Sequence, residues 1–479
     1  MKANIKELIR SIMSNSELVR EKQQQDKDDK DKQAWAATTV FYNDPHAAGI
    51  VYCSTSHGKD FYKFHEQLKR WVRFNRASIG VHLKIEHGLS TIKLSGVEYS
   101  SLDVAMLALE DSCEVTLATT LAGHFAGVEQ GIDKMPILIT SSPNLVAGRQ
   151  GEWPLWQTLL HEAFGDQFDY FCGSLALARQ NLWKKCFAPQ RAQVLAGAAG
   201  CGKTLIQRRL VTPLLGGRVA SPYDYMTKST NFNADMVTSE HLCLDDDNPH
   251  YDKRSRETFG NMIKKVVATP EHALHPKGVD KQMVKVAWFM TISVNDSPHA
   301  SRILPIFDEA LLEKICLYKL VKPPSISYPT STGAMETFNA QLDAELPAIA
   351  YALDTYEIPE QLREERYMIK AYHHRELLIH LRHASSGVLL DELLHDYYHG
   401  PNSACSAQRI FASLASYNEE SKCILFEIAS NSISLGMKLT ELANKQKRNP
   451  DLLWRSKVEV IENSTLGMNF YTIKPVTST

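Results

Sequence analysis

Little in this sequence suits a secreted or membrane-embedded protein. Its nine cysteines are scattered over 479 residues, and no two stand at C-x-x-C spacing. That excludes a Cys-rich zinc site or a disulfide framework and fits a reduced, intracellular setting. No apolar run approaches the roughly 18 residues of a membrane helix, and the N-terminal segment has no apolar leader core. The expectation is a cytoplasmic protein with no membrane partner. One-sided charge is also missing. The formal net charge is −2, so any nucleic-acid binding must come from local patches rather than from a whole-molecule field. No internal repeat is found. What remains is an ordinary globular composition, 44% hydrophobic and 23% charged, in a chain long enough for two to four domains.

The chain opens with Ile5, Leu8, Ile9, Ile12 and Met13 at helical spacing, followed by a run of charged and amide side chains with no apolar face. Residues 1–33 therefore read as a short helix and a solvated linker. Residues 34–150 mix β-like runs (TTVFY, GIVYCS, VHLKIEHG, STIKLSG, MPILITSS) with helical stretches (FYKFHEQLKRWVRF, SSLDVAMLALED), which predicts a small α+β accessory domain. It carries neither the paired acids of a primase nor a Cys/His ligand set. Lys69, Arg70, Arg73 and Arg76 interleave with Trp71 and Phe74. This reads as an amphipathic helix with its basic side in water, with a nucleic-acid face as the alternative. Residues 151–190 read as two helices leading into the core.

The core announces itself at Gly197-Ala198-Ala199-Gly200-Cys201-Gly202-Lys203-Thr204, a complete G-x-x-x-x-G-K-[ST] loop between an apolar strand and a helix. Glycines let the backbone wrap phosphates, and amide N–H groups at a helix N-terminus favour their charge. Lys203 is expected on the β/γ-phosphates and Thr204 on Mg²⁺, so ATP and Mg²⁺ are the expected cofactors. About forty residues on, HLCLDDD ends an apolar strand in carboxylates. Asp245 is assigned to the Mg²⁺ shell and Asp246 to the attacking water, with Asp247 incidental. A third apolar strand, Trp288–Val294, ends at Asn295, placed to position that water.

This ordered series of P-loop, acid pair and Asn-ended strand resembles the superfamily 3 helicases of the AAA+ group. The stretches RRLVTPLLGGRVASPYDYMTKSTNFNADMVTSEHLCLDDD and HPKGVDKQMVKVAWFMTISVNDSP are similar to the primase-helicase family of phages and integrated elements, and the likeness runs over roughly 151–479. It implies an α/β P-loop NTPase core of AAA+ type over 191–325 and a homo-oligomeric ring, expected as a hexamer, working on single-stranded DNA. It also implies a DNA-tracking hairpin before the Asn strand, here His275-Pro276-Lys277-Gly278 flanked by Lys281 and Lys285. The family pattern expects a trans-acting arginine after the Asn strand. Arg302 stands early and Lys314 occupies the later position, with Arg254 and Arg256 as further candidates, so the finger is left unassigned.

Beyond the proline-punctuated KPPSISYP, residues 326–400 read as a helical linker region. Residues 401–479 read as a helix followed by a β-hairpin, the order of a winged helix. In the family such a domain would hold duplex DNA, and Lys438, Lys445, Lys447, Arg448, Arg455 and Lys457 form a basic patch there. His373, His374, His380 and His383 lack a matching acid or cysteine cluster and read as surface or capping residues. The leading function is an ATP-driven helicase or translocase, without primase activity, in replication of a phage or mobile element. A regulatory AAA+ ATPase, for example in anti-phage defence, is the alternative, and a small-molecule kinase is the third reading.

Overall fold

The computed structural model describes residue 38 and residues 45–475, except 56–57, 94–96, 246–252, 276–280, 296–303, 306–308, 379–385, 401–402, 449–453, 455 and 464–467. The N-terminal helix and charged linker lie outside the described residues.

The accessory region opens with β1 (Ile50–Thr55), β2 (Gly58–His65) and β3 (Arg70–Asn75). Helices α1 (Arg76–His87) and α2 (Ser101–Ser112) and strand β4 (Glu114–Val115) follow. The sheet order is β3-β2-β1-β4. Ile50, Tyr52 and Phe61 on one face pack with Ile79, Leu83, Met106 and Leu109 of the helices. A second sheet, order β5-β7-β6, comes from β5 (Leu117–Thr119), β6 (Gly127–Gln130) and β7 (Pro136–Ile139).

Three sequence expectations fail in this region, the first being STIKLSG, whose described residues 90–93 form no strand. FYKFHEQLKRWVRF is a β-hairpin, with Phe61 opposite Phe74 and Phe64 opposite Trp71. Its aromatics lie on both faces, Phe61 and Phe74 in one cluster and Tyr62 and Trp71 in another, and the helical spacing of its basic residues is coincidental. VHLKIEHG is helical instead. Asn75 caps α1 by accepting from the Ser78 amide. Along the alternating Val81, Leu83 and Ile85 only Leu83 is buried, while its neighbours stand in solvent. Three of the four basic residues pair with carboxylates of the same region. Arg73 pairs with Asp60 at 2.8 Å, Lys69 with Glu66 at 3.0 Å, and Arg76 with Glu110.

Helices α3 (Pro154–Phe164) and α4 (Phe168–Trp183) match the expected pair and lead into β8 (Ala192–Gly197). A composite helix α5 follows, made of Lys203–Leu205, the π-helical Ile206–Val211 and Thr212–Leu214. Then come β9 (Val219–Ala220), β10 (His241–Leu244), α6 (Lys253–Ala268), β11 (Glu271–Leu274), β12 (Gln282–Lys285), β13 (Phe289–Val294) and β14 (Ile315–Leu320). Five of these strands form a parallel sheet in the order β14-β8-β13-β10-β9. Both faces are covered, as all-parallel sheets require. Leu195, Phe289 and Tyr318 pack against α3 and α4 on one side. Val194, Leu242, Ile292 and Leu317 pack against Phe259 and Ile263 of α6 on the other.

The sequence reading made residues beyond 325 a linker, but α7 (Thr332–Asp354) belongs to the core layer. Its Phe338, Leu342, Ile349 and Leu353 share a cluster with α3, α4 and the sheet. Fully buried Arg179 of α4 donates to Asp354 at 2.8 and 3.0 Å and to the carbonyls of Leu214 and Val146. A buried guanidinium is tolerated when paired in this way.

The C-terminal unit has α8 (Ser386–Tyr397), β15 (Cys405–Ser406), α9 (Ala407–Tyr417), α10 (Glu419–Ile428) and α11 (Ser432–Arg448). Strands β16 (Ser456–Asn463) and β17 (Met468–Pro475) close it as an antiparallel hairpin, with sheet order β15-β17-β16. Among the described residues no helix is long and apolar enough to cross a membrane.

The accessory region is joined to the core through the loop Leu121–His124. Ala122 donates to Val237 O and accepts from Ala287 N, and Gly123 N donates to buried Glu240 at 2.9 Å. Gly123 has φ +82°, and a Cβ there would stand 2.6 Å from the Ala287 Cβ. Gly123→Ala should therefore destabilise the protein by about 1–3 kcal/mol, read as a lowered urea midpoint. Gly333→Ala, in a helix with open space around it, should change that midpoint little and serves as the control.

Candidate nucleotide site at the carboxyl ends of the sheet

Parallel pairing decides what meets what. Ala196 of β8 is in register with Val294 of β13, and Ile292 of β13 with Leu244 of β10. The three chains therefore leave the sheet on one edge, carrying the glycine-rich loop, Asn295 and Asp245. Ligands of open α/β sheets sit on this edge.

The loop is glycine-dependent at particular points. Gly200 and Gly202 adopt φ +78° and +96°. A Cβ on Gly197 would lie 2.5 Å from Leu320 O and 2.9 Å from the Cys201 sulfur. Ala198, Ala199 and Gly200 are exposed, whereas Cys201 is fully buried beneath them. Lys203 curls into the loop. Its Nζ donates to Gly197 O at 2.6 Å, Ala198 O at 3.0 Å and Asn295 Oδ1 at 3.2 Å. Thr204 is exposed on the first turn of α5. A basic group, a helix N-terminus and a glycine cradle thus converge where an anion is favoured. Asp245 accepts from Ser293 Oγ at 2.6 Å, and Arg208 Nη2 lies 3.7 Å from its other oxygen. With exposed Thr204, it offers hard oxygen donors of the kind Mg²⁺ takes. Asp246 and Asp247 lie outside the described residues.

A neutral polar network forms the floor. Thr212 Oγ1 donates to Gln207 O and so accepts from His241 Nδ1 at 2.7 Å. Nε2 of His241 then accepts from Thr291 Oγ1 at 2.8 Å, which itself accepts from Gln207 Nε2. The geometry thereby assigns the Nδ1–H tautomer. Gln207 sits in the π-helical turn of α5, an irregularity common at functional sites. Burial, and after it the charge of Arg208, pushes the His241 pKa down to about 3.

The remaining assigned residues are dispersed. His275 is tied to the hairpin base, its N donating to Asn233 Oδ1 and its ring 5.4 Å from Phe232. Lys281 is exposed at the start of the return strand, and Lys277 and Gly278 lie outside the described residues. The β11–β12 hairpin itself is present, with Glu271 opposite Lys285. Its base packs on the accessory sheet: Val284 and Val286 cluster with Leu117, Leu121 and Ile137, and Gln282 donates to Thr116 O. Arg256 is buried and donates to Leu304 O within its own chain, so it has no route to a neighbouring subunit. Lys314 is partly buried beside Glu313, 3.7 Å away. Arg302 and the Arg254 side chain lie outside the described residues.

In the C-terminal unit, Lys438 and Lys445 both reach Glu441, at 2.9 and 3.0 Å, and Lys457 reaches Glu459. Lys447 is exposed; Arg455 and the Arg448 side chain lie outside the described residues. Ile433 and Met437 stand 77% and 65% exposed one turn apart on α11, an apolar element in a surface read as basic. His373 Nε2 contacts the carbonyls of Leu312 and Ile315, a capping role, and His373 itself bridges Leu317, with His374 N donating to Leu317 O; His380 and His383 lie outside the described residues. Among the described residues no cluster of three metal-ligating side chains occurs.

Sequence reasoning missed Arg208, Gln207 and Ser293. Arg208 was within reach, since four residues after Thr204 is one helical turn. Ser293 carries no signal until β10 and β13 are paired.

This is a mixed α/β protein with a glycine-rich loop, a lysine, an aspartate and an asparagine grouped on one edge of a five-stranded parallel sheet. Residues 195–303 match a family described as a family of unknown function (DUF5906). No curated protein matches the chain. The solved C-terminal region of NrS-1 is similar in fold, at 12% identity and a TM-score of 0.52, covering 92% of this chain and 99% of that one. A structure described as SCCmec type IV Cch, active helicase, aligns at 12% identity over 84% of this chain and 73% of that one. Its TM-score is 0.28.

His241 stays neutral in the folded chain down to about pH 3, whereas the unfolded chain takes up its proton near the ordinary 6.5. Stability should therefore fall as pH drops through that window, by up to about 1.4 kcal/mol per unit. His272, held down to about 4 mainly by burial, adds to the trend. Urea midpoints should drop between pH 7 and pH 5, and His241→Gln should flatten the slope. An equal slope in that variant would refute the assignment.

Proposed function

We propose that this chain is an ATP-driven motor of the AAA+, superfamily 3 helicase-like type, translocating on single-stranded DNA as a ring, expected to be hexameric. One observation carries the reading: Lys203 of the glycine-rich loop and Asn295 of the neighbouring strand meet at 3.2 Å, on the edge where Asp245 emerges two strands from the loop. The strand order supports it, since the loop-bearing strand β8 lies directly beside the Asn-bearing strand β13.

Bound ATP with Mg²⁺ would supply the free energy of phosphoanhydride cleavage. The chain's own part is to hold and orient. Glycine-loop amides and Lys203 take the phosphate charge, and Thr204 and Asp245 hold the metal. Ser293, donating to Asp245, keeps that carboxylate aimed. Asp246 is assigned to the attacking water and Asn295 to its placement. A cation from the neighbouring subunit completes such sites, with Arg302, Arg254 and Lys314 as the remaining candidates. Lys277 at the hairpin tip, with Lys281, takes the DNA phosphates, and the C-terminal unit takes duplex DNA.

A second reading has its own support. The paired lysines of α11 and its exposed Ile433 and Met437 suit a protein contact, as in a regulatory AAA+ ATPase whose output is assembly or partner remodelling. ATPase measurement with and without single-stranded DNA, alongside the particle's mass, separates the two. The motor reading expects a ring whose turnover rises with DNA. Lys203→Ala should abolish turnover under either. Lys277→Ala should spare basal turnover and remove DNA stimulation and unwinding under the first alone. A monomer indifferent to DNA would end the motor reading.

A further inference from the structure

We infer that Tyr328, in the segment that follows the sheet, is a further phosphate-binding residue of the nucleotide site. This rests on the nucleotide reading above and deepens it. The segment Lys322–Pro329 reads in sequence as a linker, yet it is fastened to the core. Ser325 N donates to Glu162 at 2.9 Å, and Ile326 is buried in the cluster beneath the loop. Pro329 restricts the backbone of the residue before it to extended conformations. The Tyr328 ring packs edge-on against Phe338 of α7, 6.1 Å between centroids. Backbone and ring are therefore fixed, and the hydroxyl is presented in one direction.

That direction is the glycine-rich loop. A Cβ on Gly202, the residue immediately before Lys203, would stand 2.9 Å from the Tyr328 hydroxyl. The hydroxyl is shielded from solvent and has no hydrogen-bond partner among the described residues. A buried hydroxyl is ordinarily satisfied, so the position calls for an acceptor that the protein itself does not provide. Gly202 caps the N-terminus of α5, where an anion is favoured. Burial, and then the neighbouring Cys201 thiol, holds the phenol above its usual pKa, so it remains a donor near neutral pH. A phosphate oxygen seated in the loop is the acceptor that fits. A Cβ at Gly202 would meet the phenol as well as force φ +96° on a side chain, which gives this glycine a second reason to be one.

Tyr328→Phe tests the idea because it keeps the ring and removes only the donor. Dissociation constants for ATP and for inorganic tripolyphosphate, which lacks base and ribose, should both rise about tenfold. The ligand-free melting temperature should hold or increase, since an unpartnered hydroxyl is lost. Unchanged affinity for both ligands overturns the inference. So does weakened ATP binding with tripolyphosphate unaffected, which would place the hydroxyl on the nucleoside. A lowered ligand-free melting temperature would make the residue structural and also overturn it. Wild-type protein and Lys203→Ala are run beside it. If the wild type binds neither ligand, the nucleotide reading itself has failed. If the wild type binds and Lys203→Ala does not, the Tyr328 result stands on its own.

Discussion

The pairing of β8 with β13 is the constraint on which the rest of the site depends. Both strands are buried along their whole length, so their register is fixed by hydrophobic contacts on two faces at once. A slip of one residue would turn every side chain of one strand to the wrong layer. With Ala196 opposite Val294, the next residues outward are Gly197 and Asn295, which is how Lys203 comes to lie against Asn295. Asp245 is placed by the same means through β10. The chemistry on the edge is set by apolar packing several ångströms away.

Below that edge the protein uses polar groups sparingly and links them, leaving only the Gln207 side-chain oxygen of this network without a partner among the described residues. His241, Thr212, Thr291 and Gln207 form a chain in which each proton has one assigned acceptor. Because the imidazole is neutral there, the floor adds no charge beneath Lys203 and Asp245. Arg208 is the cation nearest to Asp245 in the described part of the helix, at 3.7 Å. Farther out, Arg179 clasps Asp354 and two carbonyls, which holds α7 on the sheet and with it the segment carrying Tyr328. Residues that never touch the edge thus decide where the ones that do are held.

The accessory region has its own physical link to the core. Gly123 fits a space with no room for a side chain, and Glu240 takes both its amide and the guanidinium of Arg218. His124 holds Glu129 with one ring nitrogen and the carbonyl of Lys285 with the other. The base of the β11–β12 hairpin is therefore shared between two structural units, and its strands cannot shift without disturbing the accessory sheet.

Much of the candidate site was legible because its elements are local. G-x-x-x-x-G-K-T, an apolar strand ending in acids and an apolar strand ending in Asn each sit within a few residues of their own secondary structure. The order and compactness of the three implied a shared edge. The accessory domain was read less well. FYKFHEQLKRWVRF carries aromatics on both faces of its hairpin and so shows no strand alternation, while its charges are helically spaced; the alternation of Val81, Leu83 and Ile85 imitated a strand, because only packing reveals which apolar residues face a core. The boundary after residue 325 was misplaced for a related reason: prolines mark a turn in the chain but do not say whether the turn leaves the domain. The sequence by itself determined the glycine loop, the strands ending at Asp245 and Asn295 that accompany it, and the helix-then-hairpin order of the C-terminal unit. Tertiary structure alone decided that Ser293 supports Asp245, that Arg256 is buried in its own chain and that Tyr328 reaches Gly202. Those are contacts between residues 48, 48 and 126 positions apart, and no local pattern encodes a contact that only the packing of strands and helices brings about.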